Sequence, residues 1–247
     1  MTEPLDILAV AAHPDDAEVG CGGALLLGAD MGLRTGIVDL TMGERSTRGT
    51  PEGREAERRR ASAILGLTDR IGLALPDGAV GTQSGHRDAV VEVIRRLRPG
   101  VILAPFPEDR HPDHAATGRL AREAAFLAGV SKLAPDRGSA HRPTHVYHYM
   151  VHHPFTPSFV VDVSGVWARK IEAVAAYESQ FGAESPAPST DLSHGSFLRV
   201  IKARSVFHGA MVGAARGEPY HSLGPVPLPF PPGFTDPAPG GSRFSLF

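Results

Sequence analysis

"LDILAVAAHPDDAEVGCGG", residues 5–23, sets an apolar run against a histidine, a proline, two adjacent aspartates and a glycine cluster. LDILAVAA (5–12) is too short for a long helix, and unbroken apolar runs of this length suit strands buried on both faces of a parallel sheet. A helix over about Val19 to Met31 is expected next, and RTGIVDLT (34–41) then reads as a second strand, closing a strand–helix–strand unit. Two carboxylates side by side at the first strand–helix junction repel and raise each other's pKa, so a positive group is expected between or beside them. A metal ion is the first candidate.

The same alternation continues outward. EAERRRASAILGL (55–67) predicts a helix ahead of a RIGLAL strand (70–75), and RDAVVEVIRRLRP (87–99) predicts another ahead of GVILAPF (100–106). A helix through DHAATGRLAREAAFLAG (113–129), strands at THVYHYMV (144–151) and SFVVDV (158–163), and helices at 165–179 and about 195–208 complete the pattern. The chain is therefore predicted to be an α/β fold of Rossmann-like, three-layer type, with a mostly parallel central sheet and helices on both faces. No internal repeat is present. Residues 1–221 are expected to form one domain, with the folded body ending near 220. Residues 222–247 hold 7 Pro and 4 Gly in 26 positions, the composition of an extended tail.

Composition narrows the function classes. A formal charge of -2 over 247 residues gives no basic field for nucleic acid or an anionic membrane, so a small molecule is the expected partner. The N-terminus lacks a basic region before its short apolar run, and no stretch reaches the roughly 20 apolar residues of a membrane span, which predicts a cytoplasmic protein. Cys21 is the only cysteine, excluding an intramolecular disulfide and a thiolate-rich zinc site. A metal would have to be held by His, Asp or Glu.

In open parallel sheets, ligands bind at the carboxyl ends of strands, beside the point where strand order reverses. AHPDD follows the first strand, and PFPEDRHPDH (105–114) follows GVILA, the strand placed next to it across that switch point. One arrangement satisfies these residues: His13, Asp16 and His114 hold a divalent cation, leaving Asp15 free beside it. Three protein ligands with an open position are the mark of a catalytic zinc site. Pro14 stiffens the turn. His111 and His114, three apart, share a face on a helical turn, and Asp113 is placed to orient His111.

A single His-Pro-Asp is ordinarily a turn with an Asp cap, and it is the pair at neighbouring strand ends that favours chemistry. Cys21 reads as a small buried residue and Glu18 as a helix-start carboxylate. His148, His152 and His153 read as ordinary strand or loop histidines, one of which can reach a cleft rim. GCGG with Asp39 superficially matches a dinucleotide fingerprint, but Leu25 stands at the third glycine position and Asp15 and Asp16 would repel the pyrophosphate, so these glycines read as helix-packing positions. A non-haem iron oxygenase triad fits the ligands but not the alternating α/β pattern.

AHPDDAEVGCGG with PEDRHPDHAATGR resembles the two signatures of the LmbE-like, or PIG-L, N-acetylglucosamine deacetylases, across roughly residues 5–220. DLTMGERSTRGTPEGREAE, LALPDG, PSFVVDVS and HGSFLRVIKARSVFHGAMVGAARGEPY are similar to the bacillithiol-biosynthesis branch, which deacetylates N-acetylglucosaminyl malate. The resemblance implies zinc on His13, Asp16 and His114, although a His₂Asp site also accepts Fe²⁺, Co²⁺ or Mn²⁺. It further implies Asp15 as general base, His111 as the transition-state histidine paired with Asp113, and Arg54 and Arg110 in substrate binding. A homo-oligomer, trimer or hexamer, is implied as well. The alternatives are deacetylation of another N-acetylated sugar or amide conjugate, and a non-enzymatic sugar-binding or metal-storage module.

Overall fold

The computed structural model describes residues 3–182, 190 and 196–226. Their strands are β1 (Ile7–Ala11), β2 (Thr35–Asp39), β3 (Asp69–Gly72), β4 (Val101–Pro105), β5 (His145–Tyr149), β6 (Phe159–Asp162) and β7 (Gly217–His221), joined in one sheet of order β3-β2-β1-β4-β5-β7-β6. β1 to β5 pair in parallel, whereas β7 runs antiparallel to both of its neighbours. The helices are α1 (Asp16–Asp30), α2 (Pro51–Leu65), α3 (Ser84–Leu97), α4 (Pro112–Ala128), α5 (Trp167–Ala175), α6 (Glu178–Phe181) and α7 (Ser196–Met211). The expected α/β fold with a mostly parallel sheet is observed.

Side chains of β1 alternate between two cores, as a strand buried on both faces requires. Leu8 and Val10 pack with Val90 and Ile94 of α3 and with Leu120 and Ala124 of α4. Ala9 and Ala11 pack on the other face with Leu25 of α1, Leu65 of α2, Val174 of α5 and Ile201 of α7. The glycines of α1 act in this packing: a Cβ on Gly20 would lie 2.1 Å from the Tyr149 ring.

Three elements differ from the sequence expectation. α1 begins at Asp16 rather than near Val19, because Asp15 takes the cap position and places the Asp16 carboxylate at the electropositive helix start. The 165–179 helix divides into α5 and α6 at Tyr177, whose buried hydroxyl donates to Glu18 Oε1 at 2.9 Å. β7 has no counterpart among the expected strands. Pro219 lies in mid-strand opposite Val160 and has no N–H to give a ladder, which argues against a strand in sequence terms. The Pro-rich tail beyond residue 226 lies outside the described residues. Among the described residues no helix is long and apolar enough to cross a membrane.

Candidate active site

β1 and β4 pair directly, Ile7 opposite Val101 through Ala9 opposite Leu103, so the loops leaving them open at the same sheet edge. That juxtaposition brings residues 13–16 to residues 111–114. His13 Nδ1 lies 3.4 Å from Asp16 Oδ2, and His114 Nε2 lies 3.2 Å from Asp16 Oδ1. One donor atom from each of His13, Asp16 and His114 lies within 4.8 Å of the others. The three residues predicted to hold a cation are thus brought together.

The remaining imidazole nitrogens face carboxylates. His13 Nε2 lies 3.1 Å from Asp77 Oδ1 and 3.4 Å from Asp113 Oδ2. His114 Nδ1 lies 3.2 Å from Asp109 Oδ1, and Asp109 is itself fixed by the backbone N–H groups of His111, His152 and His153. Outer carboxylates of this kind set the ring orientation of metal-binding histidines.

Electrostatics tests whether these residues suit a cation. Burial alone would push the His13 imidazole down, but Asp113, Asp16 and Asp77 outweigh it and hold it at about 12. His114 is likewise pressed down by burial and held up at about 9 by Asp16 and Asp109. Both rings are therefore protonated at neutral pH. Asp16 stays ionised well below the usual carboxylate range despite its burial, because His114 and His13 face it. One divalent cation carries the charge of those two protons, so the donor set accepts it by proton exchange, as metal binding to histidine generally requires. The residues fit a divalent ion.

Asp15 occupies a different environment. It caps α1 with φ 114°, a left-handed conformation that costs a non-glycine residue of order 1–3 kcal/mol and is concentrated at functional sites. It is 8% exposed, and burial, opposed by Arg54 and aided by Asp16, raises its carboxyl to about 7. Asp15 thus stands beside the His13, Asp16 and His114 cluster with its carboxyl raised toward neutral pH, the kind of perturbation that marks candidate proton-transfer groups.

Asp113 differs from expectation. Its carboxylate accepts the N–H groups of Gly78 at 2.7 Å and Val80 at 3.2 Å and turns toward His13, away from the orienting role on His111. The link to His111 runs through the backbone: His111 caps α4, its Nδ1 accepting the Asp113 N–H at 3.2 Å. This fixes Nδ1 as acceptor, so the neutral ring keeps its proton on Nε2. Burial, with cationic His114 and His13 nearby, lowers the His111 pKa.

The cleft over these groups has a volume of about 380 Å³, with Val151, His152, Gln180, Phe181 and Phe197 among its walls. Arg54 lines it but is already engaged: Nη2 donates to Pro14 O at 2.7 Å and lies 3.9 Å from Asp15 Oδ2. Gly43 leaves room for it, since a Cβ there would sit 3.0 Å from that nitrogen. Arg110 is exposed and not among the cleft-lining residues. Of the three doubtful histidines, His152 lines the cleft with its ring stacked on His114 at 5.2 Å, His148 is fully buried, and His153 is exposed.

Sequence reasoning missed Asp77 and Asp109 as partners of His13 and His114. Asp77 follows β3 in a Pro-Asp-Gly turn at the same sheet edge, which was the available signal; Asp109 stands two residues before His111. Glu18, read as a helix-start carboxylate, is fully buried and accepts Arg70 Nη1 at 2.6 Å. Arg70 also grips both oxygens of Asp39, which disposes of a ribose-binding role for that aspartate. Cys21 is buried, as expected.

Residues 8–125 match the PIG-L family, described as GlcNAc-PI de-N-acetylase. Diacetylchitobiose deacetylase of Thermococcus kodakarensis is 32% identical over 186 residues, 71% of this chain and 70% of that protein. The conserved protein TT1542 of Thermus thermophilus superposes with a TM-score of 0.82 at 42% identity, covering 92% of this chain and 98% of that one. 4-oxalmesaconate hydratase of Pseudomonas putida, whose name describes a different chemistry, is 26% identical over 190 residues, 70% of this chain and 73% of that protein. With paired His-Pro-Asp segments converging on one edge of a parallel sheet, and relatives matched along most of their length, the chain belongs to the PIG-L family of de-N-acetylases.

Proposed function

We propose that this protein is a metal-dependent N-deacetylase, zinc being the expected ion, that removes acetate from an N-acetylglucosamine conjugate. The observation that carries this reading is Asp15: a carboxylate raised to about 7 beside the His13, Asp16 and His114 cluster and not part of it. A divalent cation held by those three residues would supply Lewis acidity and ease the ionisation of water there. Asp15 takes the proton from the attacking water and returns it to the departing sugar amine. His111, with its proton on Nε2, donates to the oxygen that gains negative charge as the amide carbonyl becomes tetrahedral. Asp77, Asp109 and Asp113 hold the two imidazoles in place, and Phe181 and Phe197 offer apolar faces for a sugar ring. No covalent enzyme intermediate is required.

The finer assignment is N-acetylglucosaminyl malate, as in bacillithiol biosynthesis, with a small-molecule amino sugar as partner, a homo-oligomeric assembly and a cytoplasmic site of action. The alternative conjugate is a neutral N-acetylated sugar such as the diacetylchitobiose that names a relative. Acetate release by the metal-loaded protein is measured on N-acetylglucosaminyl malate, N,N'-diacetylchitobiose and N-acetylglucosamine. Release from the first above the others supports the malate conjugate, and release from the second above the first transfers the assignment to the neutral sugar. Absence of release from all three, with hydration of 4-oxalmesaconate, would replace deacetylation by the hydratase reading.

A further inference from the structure

The arginines that line or flank the cleft differ in what their guanidinium groups already do. Arg54 is buried, with its Nη2 held by Pro14 O and 3.9 Å from Asp15, and Arg110 is not among the cleft-lining residues. Arg45 lines the cleft, is exposed, and among the described residues its guanidinium has no hydrogen bond or ion pair. This is notable because two carboxylates are close by in the structure and both are used elsewhere. Glu44 Oε1 accepts the Asp77 N–H at 2.7 Å, and Asp77 takes His13 Nε2 and the Arg45 backbone N–H, the latter at 3.0 Å.

Those same bonds hold Arg45 in register with the reacting centre. Its backbone is tied to Asp77 and Asp77 to His13, while its side chain rests against Gly78, where an added Cβ would stand 3.4 Å from Nη1. We infer that Arg45 forms an anion subsite at this cleft and selects sugar conjugates whose aglycone carries a carboxylate or phosphate group. A guanidinium suits either anion through paired N–H donors. This rests on the deacetylase reading and adds the residue that distinguishes charged from neutral conjugates.

The test is calorimetric binding to metal-loaded full-length protein carrying Asp15→Asn, so that turnover does not intervene, with and without Arg45→Gln. The probes are N-acetylglucosaminyl malate, N-acetylglucosamine 1-phosphate and N,N'-diacetylchitobiose. Arg45→Gln is expected to weaken an anionic probe about 5-fold or more beyond any change in the neutral one, the upper range for an exposed charge contact. Arg45→Lys should recover part of that loss. A selective loss for the malate conjugate alone identifies a carboxylate site, and one for the 1-phosphate alone a phosphate site. Equal losses on charged and neutral probes, no loss at all, or no measurable binding of either anionic probe overturns the inference. Failure of the deacetylase reading registers separately, as absence of acetate release by the protein with Asp15 intact.

Discussion

His13-Pro14-Asp15 and His111-Pro112-Asp113 are the same tripeptide at neighbouring strand ends, yet they are placed in different registers against the helices that follow. In the first, Asp15 is the cap and α1 starts at Asp16, so the aspartate after proline is forced to φ 114° beside the cleft. In the second, His111 is the cap and α4 starts at Pro112, so Asp113 falls in the first helical turn and its carboxylate turns back onto Gly78 and Val80. A two-residue shift of the helix start therefore turns one Asp into a candidate base and the other into a support for His13. The ligands shift with it: Asp16 is the first helical residue of α1, and His114 is the third of α4.

Breaking either half is the strongest test. His13→Ala and His114→Ala should each lose bound metal together with activity, measured by elemental analysis after dialysis and by acetate release. Full metal occupancy in either variant would remove that residue from the ligand set. Asp15→Asn should keep the metal and lose roughly 10² to 10⁴ in rate, the usual contribution of a general base. The sign of the pH effect follows from the raised carboxyl. Protonated Asp15 cannot accept a proton, so the rate falls as pH drops through its pKa, which burial raises to about 7. The acid limb of kcat/KM should therefore lie near pH 7 and be absent in Asp15→Asn.

Asp113→Asn sharpens the contrast between the twin aspartates. Acting through the orientation of His13, it should lower metal affinity or activity by roughly 10- to 100-fold, as loss of an outer carboxylate typically does. A loss as deep as that of Asp15→Asn, with metal retained, would instead make Asp113 a proton-transfer group. The smallest effect on chemistry is expected at the helix glycines. A Cβ at Gly118 of α4 would stand 2.3 Å from Pro105 O, and one at Gly20 of α1 would meet the Tyr149 ring. Either Ala variant should lose about 1–3 kcal/mol of stability from overpacking, read as a lower Tm with metal content per folded molecule unchanged. Gly118→Ala should be the worse of the two, because a backbone carbonyl yields less than a ring.

Much of this architecture was legible in the chain. The alternation of short apolar runs with helical periodicity specified an α/β sheet, and the strand-end rule placed both His-Pro-Asp segments at one edge. The meeting of His13, Asp16 and His114, with Asp15 beside them, was expected from residue type and position, because few side chains bind a divalent ion and even fewer stand at those ends. β7 was not legible, since Pro219 contradicts a strand locally and is tolerated only through the pairing around it.

What the sequence by itself determined was local: which segments form strands β1 to β6, which side chains offer metal donors, and which residues the two strand ends carry. Which carboxylate supports which imidazole was decided by tertiary structure. Asp77 reaches His13 from a position 64 residues away, and Asp113 bonds to Gly78 across 35. The role of Arg54 was decided in the same way, by the Pro14 carbonyl that α2 brings within 2.7 Å. Propensity and periodicity act over a turn or two of chain, whereas the direction of a buried side chain is set by whichever distant group satisfies its charge, and that group is known only once the sheet has put the loops together.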